Sequence, residues 1–378
     1  MSTELTIVAA RLHRVRMPLV HEFQTSSHRK TYLDHILVEL EDASGAIGWG
    51  EIASSSDPFY APETVESCWH IASQYLLPAI LGRPWNHPEQ LTNRKVRGNN
   101  FAKAGVDTAA WALWAETRSL PLATALGGTR TEVVAGVSLG IEPTIDELLT
   151  QVQQQVDAGY PRVKLKIAHD WDIEPVRAVR TAYPELDLHV DANGIYTAGD
   201  LEHLRKLDEY RLTMIEQPFA PRDLLTHAEL QRTIGTPVCL DESVETVADL
   251  ETALKLEALQ VLNIKVSRMG GLTPAREAHD RARDAGIAVW CGGMHEFGIG
   301  RLANVALSSL PGFTLPSDVS ASEKYYARDL VVPAVAAVQG VVQVPQATGL
   351  GHTVDRDLIT ANTIAELSLQ LPLGPDVA

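Results

Sequence analysis

The sequence has little of the features that mark disulfide-stabilised, zinc-binding or membrane proteins. Its 3 cysteines, Cys68, Cys239 and Cys291, are too few and too scattered for a disulfide framework or a zinc cluster. It lacks the run of about 18 apolar residues that a membrane span needs, and charged residues such as Glu4 and Arg11 interrupt the first positions, where a signal peptide would be apolar. We therefore expect a cytoplasmic protein with no membrane partner.

Basic residues are also scarce. The 32 Lys and Arg residues stand against 48 Asp and Glu residues, so the formal net charge is −16. This balance disfavours nucleic acid as a partner, because phosphate binding relies on clustered Lys and Arg. The 45% hydrophobic and 21% charged residues are typical of a globular chain. A length of 378 residues indicates two domains, or one large domain with an appendage, and enzymes of this size often form homo-oligomers, which we expect here.

The pattern of apolar residues divides the chain into three parts. Residues 1–128 read as β-rich and then helical, ending at a Gly-Gly helix stop, which predicts an α+β N-terminal domain. Residues 129–330 contain eight short apolar runs with helical segments between them, which favours a closed (β/α)₈ (TIM) barrel over a doubly wound open sheet. Residues 331–378 hold β-like pieces, and we expect them to return to the N-terminal domain.

Charged residues end five consecutive apolar runs of the second part. They are spaced by 25, 25, 25 and 24 residues and are Lys166, Asp191, Glu216, Asp241 and Lys265. If each repeat is a strand plus a helix, all five stand at the carboxyl ends of barrel strands, where barrel enzymes keep their active sites. A single strand-end carboxylate is usually a solvated or helix-capping group. Five in register favour a site, because buried charges are paired or bound to metal.

The two-residue period of a strand refines this arrangement. Lys164 and Lys166 point to the same face, as do Asn263 and Lys265. Counted from the first barrel strand, Lys166 is on the second strand and Lys265 on the sixth, which lie opposite each other in an eight-stranded barrel. We therefore predict two ammonium groups facing each other across the barrel mouth, with an acidic cluster between them.

This constellation predicts a definite chemistry. Three carboxylates without nearby His or Cys form an all-oxygen site for Mg²⁺ or Mn²⁺, which can stabilise a substrate carboxylate as it becomes an enediolate. A lysine whose pKa is lowered by burial and by a neighbouring cation can remove the proton α to that carboxylate; Lys164 is such a neighbour for Lys166. Lys265 can reprotonate the other face or stabilise the intermediate. The predicted reaction is α-proton abstraction followed by racemisation or β-elimination.

Several short motifs extend the pattern over nearly the whole chain. They are GWGE at 48–51, GVSLG at 136–140, KLKI at 164–167, VDAN at 190–193, IEQP at 215–218, CLDES at 239–243, NIK at 263–265 and WCGGMHEFGIGR at 290–301. Together they resemble the muconate-lactonising subgroup of the enolase superfamily, and within it the o-succinylbenzoate synthase/N-succinylamino acid racemase family.

The resemblance implies roles for individual residues. Lys166 would be the general base that also returns a proton, Lys265 would stabilise the enediolate or act as the second acid/base, and the metal, Mg²⁺ before Mn²⁺, would be held by Asp191, Glu216 and Asp241. An N-terminal capping domain, completed by the C-terminal tail, would cover the barrel mouth with loops at 23–26 and 54–60. Arg268 matches a feature of members that racemise. Substrate contacts are implied for Tyr60, Ser138, Lys164, Asn193, Gly292, Gly293, Met294 and Tyr325, the last near the succinyl tail.

The activity implied is dehydration of a cyclohexadiene carboxylate to o-succinylbenzoate in menaquinone synthesis, with racemisation of N-succinylamino acids as a second activity. Alternatives are racemisation as the main activity, another subgroup enzyme such as a dipeptide epimerase or cycloisomerase, or a barrel that binds a metabolite without turnover. The last is disfavoured because both lysines and all three carboxylates are present.

One motif resembles a nucleotide-binding signature. Gly298 and Gly300 follow a strand, and Asp318 comes 18 residues later, as in a dinucleotide fingerprint. The fingerprint belongs in the first strand–helix unit, however, and this motif is in one of the last. We expect instead a glycine-rich loop whose backbone N–H groups approach a substrate carboxylate at a helix N-terminus.

Overall fold

The computed structural model describes residues 4–24, 29–92 and 95–371. In these ranges no helix combines the length and the apolar character needed to cross a bilayer. The strands are β1 Leu5–Gln24, β2 Arg29–Asp42, β3 Ile47–Ile52, β4 Pro84–Trp85, β5 Glu132–Val134, β6 Val137–Leu139, β7 Arg162–Lys166, β8 Asp187–Asp191, β9 Ile215–Glu216, β10 Val238–Leu240, β11 Val261–Ile264, β12 Ala288–Cys291, β13 Val331–Val332, β14 Val341–Gln343, β15 Thr353–Val354 and β16 Thr363–Gln370.

The helices alternate with the barrel strands after a first group in the N-terminal part. They are α1 Val65–Ile71, α2 Leu77–Ile80, α3 Asn100–Thr117, α4 Leu122–Leu126, α5 Ile145–Asp157, α6 Ile173–Ala182, α7 Leu201–Leu204, α8 Leu224–Thr233, α9 Val247–Leu256, α10 Val266–Met269, α11 Leu272–Asp284, α12 Gly298–Ser308 and α13 Arg356–Asn362. A π turn joins α1 to α2, and short 3₁₀ turns include Ser322–Lys324.

An antiparallel sheet in the order β16-β1-β2-β3, with β4 paired to β1, forms the N-terminal layer. Helix α3 packs directly on β3 because glycines line the contact: a Cβ on Gly50 would lie 2.0 Å from the carbonyl oxygen of Gly105. The buried side chains between sheet and helices include Leu12, Val38 and Phe101. We call β1–β4, α1–α3 and β16 the cap.

The second layer is a barrel of parallel strands in the order β6 to β12. Several of the helices between them begin at polar residues that accept backbone N–H groups, such as Thr144 before α5 and Thr246 before α9. The opposite edges of this sheet are joined by the segment 313–317, because Phe313 bridges to Val289 of β12 and Ser317 bridges to Ala135 next to β6. The predicted barrel is therefore confirmed, and the open sheet is excluded.

Two predicted strands differ in detail. The eighth run, 313–319, makes only single bridges, and Pro316 within it has no N–H to donate to a ladder. The first run, 133–139, is divided: β5 pairs with β14 outside the barrel, and only β6 enters it.

The C-terminal segment returns to the cap, as expected. β16 pairs antiparallel with β1 over Ala9–Val15, and the Arg356 side chain at the start of α13 donates to Glu39 of β2 at 3.0 Å. The N-terminal sheet is therefore completed by the end of the chain. The boundaries at 128 and 330 stay predictions.

Candidate active site

The five charged residues of the repeat lie at the carboxyl edge of the barrel. Lys166, Asp191 and Glu216 end β7, β8 and β9 and are directly in register, while Asp241 and Lys265 follow β10 and β11. The three carboxylates are at most 1% exposed. Strand geometry therefore brings the side chains to one place, as their spacing predicts.

A cavity of about 430 Å³ lies between this edge and the cap. Of the residues predicted to contact substrate or reacting atoms, it is lined by Tyr60, Ser138, Lys164, Lys166, Asn193, Lys265, Gly293, Met294 and Tyr325. Gly292 and Arg268 do not line it, and the three carboxylates lie beneath its lysines. Residues 25–26 of the predicted loop at 23–26, and the side chains of 23–24, lie outside the described residues.

Two lysines of β7 hold the carboxylates of β8 and β9. Lys166 Nζ is 2.6 Å from Asp191 Oδ2, and Lys164 Nζ is 3.1 Å from both Asp191 Oδ2 and Glu216 Oε2. Burial raises the pKa of Asp191, but Lys166 and Lys164 outweigh burial and hold that pKa well below its usual range. Burial likewise lowers the pKa of Lys164, and the carboxylates raise it above its usual value. Lys164 is therefore a fixed ammonium beside Lys166.

Asp241 is held from two sides. Lys265 Nζ is 2.8 Å from Asp241 Oδ2, and the buried guanidinium of Arg268 donates to the other oxygen. Arg268 also donates to the backbone carbonyls of Val244, at 2.9 Å, and Asn263. Burial would raise the pKa of Asp241, but these two cations lower it. Arg268 thus fixes a carboxylate from outside the cavity.

Asn193 links Lys166 to a carboxyl group that the sequence reasoning missed. Its Oδ1 accepts a hydrogen bond from Lys166, and its Nδ2 donates to Glu242 Oε1 at 2.9 Å. Burial, together with Asp241 and Asp191, raises the pKa of Glu242 to about 8. Glu242 lines the cavity, and its position in the CLDES motif was the available signal.

The cap contributes Tyr60, which lies between β3 and α1. Lys265 donates to the Tyr60 hydroxyl at 2.8 Å, and that hydroxyl donates to Asp241 Oδ2 at 3.3 Å. Burial and Asp241 raise the pKa of Tyr60, so the phenol keeps its proton. The cap and the barrel therefore share one hydrogen-bonded group.

Ser138 and Gly292 have different positions in the site. The Ser138 hydroxyl donates to Asp318 Oδ2 at 3.2 Å within the cavity. Gly292 lies against Asn263, where a Cβ would come within 2.3 Å of Oδ1. Asn263 in turn donates to Glu216 Oε1 at 2.8 Å. Gly292 therefore leaves room for a side chain that holds a carboxylate.

Met294 and Tyr325 lie where the barrel meets the cap. Met294 packs against the apolar core of the cap and also lines the cavity. The Tyr325 ring stacks on His295 with their centroids 5.1 Å apart, and its carbonyl accepts a hydrogen bond from Val20 of β1 at 2.9 Å. The cavity is thus closed by residues that also hold the two layers together.

At the end of the glycine-rich loop and in the first turn of α12, three backbone N–H groups are bonded to protein carboxylates. Phe297 and Gly300 donate their backbone N–H groups to the two carboxylate oxygens of Glu51, at 2.9 and 2.8 Å, and Gly298 donates to Asp329 at 2.8 Å. The expectation that this helix terminus binds a substrate carboxylate is wrong, because two buried protein carboxylates already occupy it.

Further charged or titratable residues of the cavity were not predicted, and three of them are Asp318, His35 and Arg301. Asp318 was considered only as part of the nucleotide-like motif, but it forms ion pairs with Arg162 and Lys164 at 2.9 and 3.7 Å. His35 of β2 lines the cavity with its Nδ1 2.7 Å from Glu51 Oε1. Arg301 of α12 is the third. The tertiary contacts that bring these residues together leave no periodic pattern in the sequence.

Comparison with known proteins agrees with this geometry. Residues 3–127 match the N-terminal domain of mandelate racemase/muconate lactonizing enzyme, and residues 147–358 match the enolase C-terminal domain-like family. The chain belongs to the enolase superfamily. A solved structure of an enolase superfamily member from Listeria innocua has a TM-score of 0.94 and 38% identity, covering 97% of this chain and 99% of that one.

Two relatives of this superfamily member, at similar identity, are named after different activities. An o-succinylbenzoate synthase from Geobacillus kaustophilus is 44% identical over 347 residues, which are 91% of this chain and 92% of that protein. An N-succinylamino acid racemase from Thermus thermophilus is 42% identical over 349 residues, which are 92% and 94% of the two chains. The resemblance stated from the motifs is confirmed.

Enolase superfamily enzymes generally use a divalent metal and act on small carboxylates. Asp191, Glu216 and Asp241 fit such an ion by their chemistry, because they are buried carboxylate oxygen donors at the ends of neighbouring strands. In this structure the carboxylate oxygens are paired with lysine and arginine nitrogens. Within the described ranges, no three His, Cys, Asp or Glu side chains are close enough together to hold a metal ion.

Proposed function

We propose that the protein dehydrates a cyclohexadiene carboxylate to o-succinylbenzoate, and that it also racemises N-succinylamino acids. One observation carries this proposal: Lys166 and Lys265, from opposite strands of the barrel, line the same cavity beside three buried carboxylates. Such a pair can serve both faces of a carbon next to a substrate carboxylate. The names of the relatives at 44% and 42% identity support these two activities.

In this mechanism Lys166 is the base that takes the α-proton of the substrate. Asp191 and Asn193 hold its Nζ at a fixed position. In dehydration the electron pair of the broken C–H bond forms a C=C bond, the C–O bond breaks, and Lys166 returns its proton to the departing hydroxide, which leaves as water. In racemisation Lys265 delivers a proton to the opposite face.

We assign the divalent ion to Mg²⁺, with Mn²⁺ as the second choice, held by Asp191, Glu216 and Asp241. When bound, it would stabilise the second negative charge that develops on the substrate carboxylate. Lys164 keeps Asp191 and Glu216 in place, and Arg268 does the same for Asp241. The buried cations thus prevent repulsion between neighbouring carboxylates.

A second candidate is racemisation as the main activity. Arg268, the residue associated with racemising members, is buried and bonded to Asp241, the same carboxylate that holds Lys265, the second acid/base of racemisation. A dipeptide epimerase or cycloisomerase would use the same α-proton chemistry on another carboxylate.

The test measures the candidate reactions side by side on the purified protein with Mg²⁺. One assay follows conversion of the cyclohexadiene carboxylate to o-succinylbenzoate, and another follows loss of the α-proton signal of N-succinylamino acids in D₂O by NMR. A higher kcat/KM for dehydration supports the proposal, and a higher value for racemisation makes the second candidate the main activity. If only dipeptides or only muconate are turned over, the protein is a dipeptide epimerase or a cycloisomerase, and both candidates are rejected. If no substrate turns over, the barrel is a binding protein.

We further propose a cytoplasmic location and a homo-oligomeric state. Light scattering after size exclusion tests the second point, because a mass equal to the 41.2 kDa chain would contradict it.

A further inference from the structure

A buried arginine lines the cavity, and none of the described carboxylates forms a direct ion pair with it. Arg301 is 2% exposed and donates to the backbone carbonyls of Ser320, at 2.7 Å, and Glu296, at 3.0 Å. Among the residues described, its Nε has no hydrogen-bond partner. Carbonyl oxygens fix a guanidinium in place but leave its charge uncompensated, and a buried uncompensated charge is costly.

A second cation, Lys324, is near enough to Arg301 for the two charges to interact. Lys324 is in the 3₁₀ turn Ser322–Lys324, and its buried Nζ has no hydrogen-bond partner within the described ranges. Burial lowers the pKa of Lys324 to about 8; Asp318 raises the pKa, and Arg301 and Arg162 lower it. At neutral pH most of this ammonium is charged, so it adds to the positive potential at Arg301.

The carboxylates near these cations are engaged elsewhere. Asp318 is shared by Arg162 and Lys164, and Glu296 Oε1 accepts a hydrogen bond from Asn304 at 2.9 Å. Neither carboxylate forms a direct ion pair with Arg301 in the described part of the chain, which predicts an anionic group in the ligand.

Two neutral donors lie at the same end. The Tyr325 ring is 4.9 Å from the Arg301 guanidinium carbon, and the Tyr325 and Ser320 hydroxyl oxygens are 3.4 Å apart. Both side chains line the cavity. A planar guanidinium beside two hydroxyl groups suits a carboxylate, which accepts several hydrogen bonds at once.

We infer that Arg301 binds a second carboxylate of the substrate, distinct from the one next to the reacting carbon, and that Lys324 strengthens this binding through its charge. The inference rests on the proposed function, in which both substrates carry a succinyl carboxylate. It assigns the selection of dicarboxylates to residues outside the reacting centre.

The experiment compares two ligands that differ only in this charge, an N-succinylamino acid and its N-succinamoyl analogue, in which a carboxamide replaces the distal carboxylate. Calorimetry on the Mg²⁺-loaded protein gives both dissociation constants without requiring turnover. We expect the carboxylate to bind about 10- to 100-fold more tightly, the range of a charge-assisted hydrogen bond. Equal affinities would overturn the inference.

Variants connect this preference to the two residues. Arg301→Gln should reduce the affinity ratio at least about tenfold, whereas Lys324→Met should reduce it by about threefold, since it removes charge but no hydrogen bond. Lys324→Met also covers the case in which Arg301→Gln does not fold, because Lys324 Nζ holds no described partner in place. Lys255→Met, an exposed lysine of α9, is the control and should not change the ratio.

The ratio separates binding from structural damage, because a distorted cavity weakens both ligands alike. An unchanged ratio in Lys324→Met and in folded Arg301→Gln overturns the assignment. The α-proton exchange of the same N-succinylamino acid is measured in parallel. If α-proton exchange is absent but the carboxylate still binds more tightly than the carboxamide, the proposed function is rejected and the subsite is kept. If exchange occurs but the two ligands bind equally well, the subsite is rejected and the proposed function is kept.

Discussion

Tyr60 accepts a hydrogen bond from Lys265 across the boundary between cap and barrel, with Oη and Nζ 2.8 Å apart. Lys265 follows β11, and Tyr60 lies in the connection between β3 and α1, 205 positions earlier. The cap therefore does more than cover the cavity: it supplies a group that fixes the position of a lysine in the proposed reaction.

We expect Tyr60→Phe to lower kcat/KM about tenfold, because Lys265 loses a hydrogen-bond acceptor in a buried site while the ring keeps its edge contact with Phe101. The measurement is the initial rate of dehydration or α-proton exchange. Tyr75→Phe, at an exposed tyrosine, is the matched control. An unchanged kcat/KM in Tyr60→Phe would show that the contact does not position Lys265 for the reaction.

Lys166→Ala should reduce both reactions by about 10³-fold or more, since it removes the base that takes the α-proton. Asp191 keeps Lys164 at 3.1 Å in this variant, so the fold is expected to remain intact. Exchange of the substrate α-proton in D₂O measures the effect directly, and circular dichroism checks the fold. Lys206→Ala removes an exposed lysine as a control. Near-normal exchange in Lys166→Ala would reject its assignment as the base.

Removal of divalent ions should abolish turnover, and Mg²⁺ should restore it. Asp241→Asn should raise the Mg²⁺ concentration for half-maximal rate at least about tenfold, because one anionic oxygen ligand becomes a neutral amide. A Mg²⁺ titration of the initial rate tests both points. Glu245→Gln, four residues further along the chain, is the control. Full activity after chelation, or the same half-maximal concentration in Asp241→Asn, would contradict the metal assignment.

The sequence predicts the residues of this site that recur once in every strand-plus-helix unit. Lys166, Asp191 and Glu216 are in register because each strand-plus-helix unit has nearly the same length, so equal spacing along the chain becomes adjacency at the strand ends. Lys164 follows from strand alternation. The fold class is predictable for the same reason, since repeated apolar runs require a common core.

Contacts between the cap and the barrel leave no such period. Glu51 accepts hydrogen bonds from Phe297 and Gly300, which are more than 240 positions away. When the sequence is read without knowledge of Glu51, the glycine-rich loop has the pattern of a helix terminus that binds an anion. Glu242 was missed because it follows the strand end in a loop, where alternation no longer indicates direction.

A last prediction concerns the ion pairs that join the C-terminal segment to the cap. Glu39 is buried; burial alone would raise its pKa, but the nearby His13, with its Nε2 3.7 Å from Oε2, and hydrogen bonds from Arg356 lower it to about 2. A carboxyl group with a pKa near 4.5 when unfolded and near 2 when folded stabilises the protein above about pH 4.5. That contribution is lost as the pH falls toward 2.

We therefore expect Glu39→Gln to lower the free energy of unfolding at pH 7 by about 2–3 kcal/mol and to flatten its decline between about pH 5 and pH 2. Urea denaturation of both proteins at several pH values measures this difference. Glu366→Gln, at an exposed carboxylate of β16, is the control: its free energy of unfolding should decline with falling pH as steeply as that of the unsubstituted protein. Parallel declines for Glu39→Gln and the unsubstituted chain would mean that Glu39 titrates at its ordinary pKa and that these ion pairs do not stabilise the junction.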